Sequence, residues 1–468
     1  MKSDSFAVNV WQGLYFTFIV SLFLTFGAAY PEMFISRVLL GGVVLFFSLF
    51  LSLSLKTQPP HPGLLPQGGE GILKPRRWNF CFAALACVFA FEIVRALTAV
   101  YSLYFLHLQE PRFHFYLEAP LKWAFYFGFF SVTRFFFNSK ARIWKLMDVL
   151  VWASLFLVAN LIGPLLKTGL MGYKVGTQEY LFHPVFYKIP EISRFVLGYV
   201  THSNYAGDLI GIGFFSGLGL VFYIFQSAEN RNARHWTSLA LRLTLMLLTG
   251  ACILLLFSRG TMIFFAFSLV LFFAAFLVKF PKTKIMGSAI LIFFLIFGFF
   301  KWAGNMNDAV KELVTLDKET TLKTGSLAHN QEGAARAMRM VWAYPVWGVG
   351  TDGYRAYARQ YASPGGKMLG LADYSAICHY FQILANEGIG AYFYFIFLGA
   401  YFFEVLAALW ATKSRFKFMA GTALLCIVVM ILGHASIAFL MEQFPIALLV
   451  YIVMGASLAV LGGDFTHD

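Results

Sequence analysis

Charged side chains are scarce in this sequence. Asp, Glu, Lys and Arg make up 13% of its 468 residues, about half the roughly 25% of an ordinary soluble chain. A water-soluble chain of this length would split into domains with charge-rich loops, so the scarcity excludes a soluble globular enzyme, a disordered chain and a fibrous repeat. Cysteine is equally sparse. The five cysteines are too few for a disulfide framework, and Cys81, Cys87, Cys252 and Cys426 fall inside apolar segments. Cys378 lies in a polar stretch without an obvious loop partner. Also missing are a Walker motif, metal-spaced histidines and acids, and a Ser-His-Asp constellation, which leaves no sequence basis for nucleotide hydrolysis, a bound metal or cofactor, or serine hydrolysis.

What the chain has in abundance is apolar surface: 59% hydrophobic residues, 55 of them phenylalanine, and a mean hydropathy of +0.70. A bilayer core about 30 Å thick needs about 20 apolar residues per helix. Twelve runs meet that need, at about 10–29, 34–55, 79–106, 121–138, 144–165, 205–226, 236–258, 260–279, 285–303, 388–411, 416–436 and 443–462. The first follows a short segment holding Lys2 and has no small-residue cleavage site after it, so it reads as a retained helix. The expected fold is an all-α polytopic membrane protein of about twelve transmembrane helices, a single membrane domain over residues 1–468.

The formal charge of +13 would suggest nucleic acid in a soluble protein, but here the basic residues cluster between apolar runs. Lys56, Lys74, Arg76 and Arg77, then Lys140, Arg142 and Lys145, then Arg231 and Arg234, then Lys279, Lys282 and Lys284, and finally Lys413, Arg415 and Lys417 each follow an even-numbered span. The positive-inside rule therefore puts both termini in the cytoplasm. Two long connections fall on the outer face, at about 166–204 and 304–387. A structureless loop of the second length would be unusual, and its composition indicates short helices instead. QEGAARAMRMVWAY (331–344) is rich in helix formers and ends at Pro345; a second helix, capped by Thr351 or Asp352, would carry Arg355 and Arg359 on one face; a third begins near Ala372. Gly348, Gly350 and Gly353 spell G-x-G-x-x-G, but no strand precedes them, so a dinucleotide site does not follow.

Several polar residues stand where apolar ones would cost less. Arg259 occupies the SRGT turn between the seventh and eighth runs, where an arginine fits either an anion or a snorkelling flank. Arg336 and Arg339 share a helix face and would suit a diphosphate, since each planar guanidinium can bind oxygens bidentately, or form a solvated face. His379 sits where the large loop re-enters the bilayer; it suits proton transfer near neutral pH, or a structural role. His434 and Glu442 lie near the last two spans, and Glu92 and Arg95, three residues apart in the third run, can neutralise each other.

Four segments together resemble the O-antigen ligase and polymerase family of integral-membrane glycosyltransferases. Arg194 with GYVTHSNYAGD, containing Gly198 and Asn204, is similar to the family's R…G…N-x-x-A pattern. Ser258 to Gly260 matches its arginine turn, ARAMRMVWAYPVWGVGTDGY its helix followed by P-x-x-G-x-G, and HYFQILANEGIGAY its histidine-led stretch, with Tyr380 in the place of a usual asparagine. The likeness spans about 190–410.

The resemblance implies a GT-C-like fold and transfer of a glycan from undecaprenyl diphosphate to an acceptor hydroxyl, such as one on lipid A-core, at the periplasmic face of a bacterial inner membrane. It implies no cofactor and no nucleic acid partner. On it, His379 would activate the acceptor, Arg259, Arg336, Arg339 and Arg194 would hold the diphosphate, and Asn204, Gln382 and Glu387 would support them. A polymerase or a protein glycosyltransferase would use the same donor. A transporter or flippase is the reading of a different class, supported by helix number, Glu92, Arg95 and Arg134, but without evident inverted repeats.

Overall fold

The computed structural model describes residues 2–24, 41–48, 80–107, 112–168, 173–175, 178–180, 203–226, 233–255, 259–279, 326–364, 370–373, 375–376, 378–438, 441 and 444–463. The long helices follow the apolar runs: α1 (Lys2–Leu24), α2 (Phe80–Val100, continued by a π turn Tyr101–Phe105), α3 (Arg112–Phe136), α4 (Lys140–Thr168), α5 (Ser203–Gln226), α6 (Ala233–Leu255) and α7 (Arg259–Lys279). After the large loop come α8 (Ser326–Ala343), the single turn α9 (Tyr354–Tyr357), a 3-10 turn Gly370–Asp373, α10 (His379–Glu387), α11 (Gly390–Ala411), α12 (Arg415–His434) and α13 (Phe444–Gly462). Among the described residues, seven helices are long and apolar enough to cross a membrane: α2, α5, α6, α7, α11, α12 and α13. The expected run 285–303 and most of 34–55 lie outside the described residues. The first long connection carries a small antiparallel hairpin, Tyr173–Val175 paired with Gln178–Tyr180, which the sequence reading did not anticipate.

Burial sorts the spans. The apolar windows of α5, α12 and α13 are 89%, 83% and 94% buried, whereas those of α2, α6, α7 and α11 are 33–39% buried. A helix apolar on all sides belongs either at a bundle centre or against lipid, and these helices divide between the two. The central helix α5 packs on α4, α6 and α12, while α13 packs on α3 and α12. Association inside a membrane depends on close packing and internal hydrogen bonds, because lipid is as apolar as leucine. Gly455 of α13 provides such an approach, since a Cβ there would stand 2.5 Å from the carbonyl oxygen of Phe130 on α3. Polar ties complement it: Ser154 of α4 donates to the Leu209 carbonyl on α5 at 2.9 Å, and Arg242 of α6 grips Asp148 of α4 at 2.9–3.2 Å.

The helix α3 starts nine residues before the expected run and carries Pro120 inside it. Its extra N-terminal turns are held from outside, with Tyr116 buried and its hydroxyl donating to the Gly348 carbonyl at 2.7 Å. The described part of the large connection, from Ser326 on, holds short helices, but its expected second helix is the one turn α9. Beyond it the chain bends so that the N–H and hydroxyl of Ser363 both donate to Glu332 of α8 at 2.8 Å. A helix continued through Ala362, rising about 1.5 Å per residue, would carry Ser363 away from that carboxylate.

Candidate functional site

The cap is stapled by a charge cluster. Arg336, fully buried, donates from Nε to Glu332 at 2.9 Å and from Nη1 to Asp373 at 2.6 Å. Arg359 reaches the other Asp373 oxygen at 2.8 Å, and Arg339 approaches Glu332 at 3.7 Å and donates to the Tyr361 carbonyl. Burial by itself would raise the carboxyl pKa values. For Glu332 the Ser363 N–H and Arg336 outweigh it, and for Asp373 Arg359 and Arg336 do, so both acids titrate below their ordinary range. The carboxylates in turn raise Arg336 against the lowering effect of its burial.

The G-x-G-x-x-G segment clasps the end of α10. The N–H groups of Val349 and Gly350 donate to the Ala385 and Asn386 carbonyls at 2.9 Å, and Ile389 returns a bond to Val346 at 3.0 Å. Gly348 (φ +65°) and Gly388 (φ +54°) lie face to face across this clasp. Neither leaves room for a side chain: a Cβ on Gly348 would stand 2.2 Å from the Asn386 oxygen, and one on Gly388 2.6 Å from the Val346 oxygen. These amides thus bind main-chain carbonyls rather than phosphate.

Arg95 of α2 is the keystone under the clasp. It is fully buried, with Glu92 and Glu387 each at 2.5 Å, and donates to the Trp347 and Asn386 carbonyls at 3.1 and 2.9 Å and to the Thr351 hydroxyl at 2.8 Å. The ring of Tyr116 covers it at 5.0 Å. The Thr351 hydroxyl donates onward to Glu387 at 2.7 Å. The expected mutual neutralisation of Glu92 and Arg95 is therefore real but incomplete, because the guanidinium also carries Glu387 from the far end of the chain.

A cleft of about 40 Å³ opens beside this network, lined by Lys122, Trp123, Thr351, Asp352, His379, Glu387, Tyr394 and Tyr451 among others. At roughly 10–15 Å³ per water, it admits a few waters or one hydroxyl group, and anything larger must approach through its mouth. His379 opens α10 after the extended residue Cys378, is 6% exposed, and holds Nε2 at 3.3 Å from the Tyr394 hydroxyl of α11. Behind it Tyr126 stacks on Tyr451 at 4.7 Å and Trp123 packs edge-on against Tyr126 at 5.5 Å. At the mouth Lys122 of α3 donates to both oxygens of Asp352 at 2.9 Å.

The end of α12 connects this cleft to a second cluster. The Ala435 carbonyl accepts the His379 N–H at 2.9 Å, and the Leu432 carbonyl accepts the Tyr380 hydroxyl at 2.7 Å. Between them His434, fully buried, holds Nδ1 2.9 Å from Asp208 of α5. Its Nε2 lies 2.4 Å from where a Cβ on Gly260 would stand, which explains glycine in the SRG turn. Thr261 completes the junction, its hydroxyl 3.4 Å from His434 and from the Asn204 carbonyl. The starts of α5 and α7, two of the segments that carry the family resemblance, are thereby neighbours.

Of the expected site residues, His379 and Glu387 line one cleft. Gln382 braces the approach to His379, accepting from the Ser375 hydroxyl and the Ala376 N–H at 2.7 and 2.9 Å. Arg259 begins α7, and Arg194 and Glu442 lie outside the described residues. Arg336 and Arg339 do share a face, but they converge on Glu332, and the cleft lining includes neither of them. The Arg336 guanidinium meets two carboxylates inside the cap, those of Glu332 and Asp373. Sequence reasoning missed Lys122, Tyr394 and Asp208, and took Asp352 only for a helix cap, whereas the N-cap of α9 is Gly353 with no side-chain cap bond.

Fold and site thus define a polytopic helical membrane protein with a helical cap and a histidine-bearing cleft beneath it. Residues 243–396, about a third of the chain, match the family model described as O-antigen ligase. No curated protein matches the chain. The matched stretch supplies Arg259, the cap, the clasp and His379, whereas Lys122, Trp123 and Tyr451 of the cleft come from outside it.

Proposed function

We propose that the chain transfers a glycan from undecaprenyl diphosphate to an acceptor hydroxyl at the periplasmic face of the inner membrane, as an O-antigen ligase with lipid A-core as acceptor. The observation that carries this reading is the match to the O-antigen ligase family model with His379 in a cleft braced by Glu387 and Arg95. In the step, the acceptor oxygen attacks the anomeric carbon and forms the new glycosidic bond. The bond from that carbon to the diphosphate breaks, undecaprenyl diphosphate leaves with the electron pair, and the hydroxyl proton passes to His379. A single displacement inverts the anomeric centre. Arg259 is assigned to the diphosphate, where a cation offsets the charge growing on the leaving group. Tyr394, next to Nε2 of His379, orients the imidazole toward the cleft.

A polymerase differs from a ligase only in which hydroxyl attacks, so the acceptor decides between them. The test is incubation of purified protein with lipid-linked glycan and either core lipid or a second lipid-linked glycan. Sugar gained by core lipid supports the ligase, and sugar gained by the second lipid-linked glycan identifies a polymerase. No transfer to either, or transfer undiminished by Arg259→Ala, contradicts the reading.

A further inference from the structure

The cation expected from Arg336 is absent from the cleft wall, yet the cleft holds another. Lys122 lies on its lining with His379, its side chain 17% exposed. Its ammonium meets both oxygens of Asp352 at 2.9 Å, and the Asp352 side chain is 50% exposed. The two partners are built differently. Lys122 rises from the middle of the long helix α3, while Asp352 sits in a turn at φ +62°, an unusual angle for a residue other than glycine. Its neighbour Thr351 is locked to Arg95 and Glu387, so the turn is fixed while the carboxylate projects toward solvent. Next to Lys122 on the wall, the buried indole Nε1 of Trp123 has no hydrogen-bond partner among the described residues.

We infer that Lys122 is a diphosphate-binding residue at the mouth of this cleft, and that Asp352 occupies its ammonium until a phosphoryl oxygen displaces it. A carboxylate held by both oxygens on one ammonium imitates a phosphoryl group in charge and in acceptor geometry. Half exposed, the carboxylate returns readily to water, because a solvent-facing partner is held only weakly in an ion pair. A phosphoryl group bearing more charge would win the ammonium, and the indole N–H is a further donor on the same wall. The inference rests on the transfer reading above, and it adds a residue from outside the matched stretch to the donor site.

The test is direct binding of undecaprenyl diphosphate in detergent micelles, with inorganic pyrophosphate as a second probe that lacks the lipid. Lys122→Met keeps the aliphatic stem and removes the charge. It is expected to weaken binding of both probes roughly tenfold or more, with Lys122→Arg restoring most of it. Asp352→Asn keeps a side chain that tolerates positive φ and removes the competing charge, so it is expected to tighten binding by about two- to fivefold. A pair that only fastened the cap to α3 would make both charge removals act in the same direction, and weakened binding in Asp352→Asn overturns the inference. Binding unaffected by Lys122→Met overturns it too, while leaving the transfer reading intact. Binding of neither probe by the unaltered protein overturns both.

Discussion

The backbone N–H of His379 donates to the carbonyl of Ala435 at 2.9 Å, so the helix bearing the candidate base hangs from the last turn of α12. The preceding residue, His434, packs on Gly260 beside Arg259. One turn therefore supports both the imidazole and the start of the arginine helix, although they lie far apart in sequence. Because this tie uses main-chain atoms, His379→Gln keeps it. The substitution should leave binding of undecaprenyl diphosphate within a few-fold of the unaltered protein and lower turnover by about 10²–10⁴, the usual worth of a general base. Single-turnover kinetics beside the binding assay separate the two, and unchanged turnover would remove the proton-transfer role.

Arg95 contacts two buried carboxyl groups at once. Arg95→Met should lower stability by about 3–5 kcal/mol, because it strands Glu92 and Glu387 without their counterion. Replacing all three together by Met, Gln and Gln should recover much of that loss. Thermal unfolding in detergent, followed by tryptophan fluorescence, measures both, and an unshifted midpoint in Arg95→Met would refute the keystone role.

At Gly388 the φ of +54° and the nearby Val346 oxygen and Gly348 nitrogen both exclude a side chain. Gly388→Ala should cost at least about 1–2 kcal/mol from the left-handed backbone alone and should loosen the clasp, exposing 344–353 to protease. At Gly399 of α11 a Cβ meets nothing within 4 Å. Gly399→Ala should therefore be neutral, or stabilising by up to about 1 kcal/mol. Equal proteolysis of the two variants would count against the clasp.

The cap should be sensitive to acid. Glu332 and Asp373 have lowered pKa values in the folded protein, so their stabilisation is complete above the ordinary carboxylate values of 4.5 and 3.8. It is lost as pH falls through the lowered folded values. Hydrogen exchange in α8 should be flat from neutral pH to about pH 5, after correction for intrinsic rates, and should rise below about pH 4. Arg336→Met should lower protection at neutral pH and shrink the acid-induced rise, because the folded pKa values move back toward the unfolded ones, and a pH-independent protection pattern in the unaltered protein would contradict the staple.

Seven of the twelve expected apolar spans are found among the described residues, and these were legible because a bilayer imposes its constraint locally: about 20 consecutive apolar residues suffice, whichever neighbours they meet. The helix α8 and its end at Pro345 were legible for the same reason, since propensity and a proline stop act over a few residues. The partners of charged side chains were not. Arg336 and Lys122 are both cations near apolar segments, and only the folded chain gives the first two carboxylates inside the cap and sets the second on the cleft wall. Arg95 looked like half of a local pair until α10 brought Glu387 to it, and Asp208 had no visible role until α12 brought His434. Sequence by itself determined where helices form and which residues are costly to place in them. Tertiary structure decided which charges meet, because a Coulomb contact depends on distance in space and the chain brings together residues hundreds of positions apart.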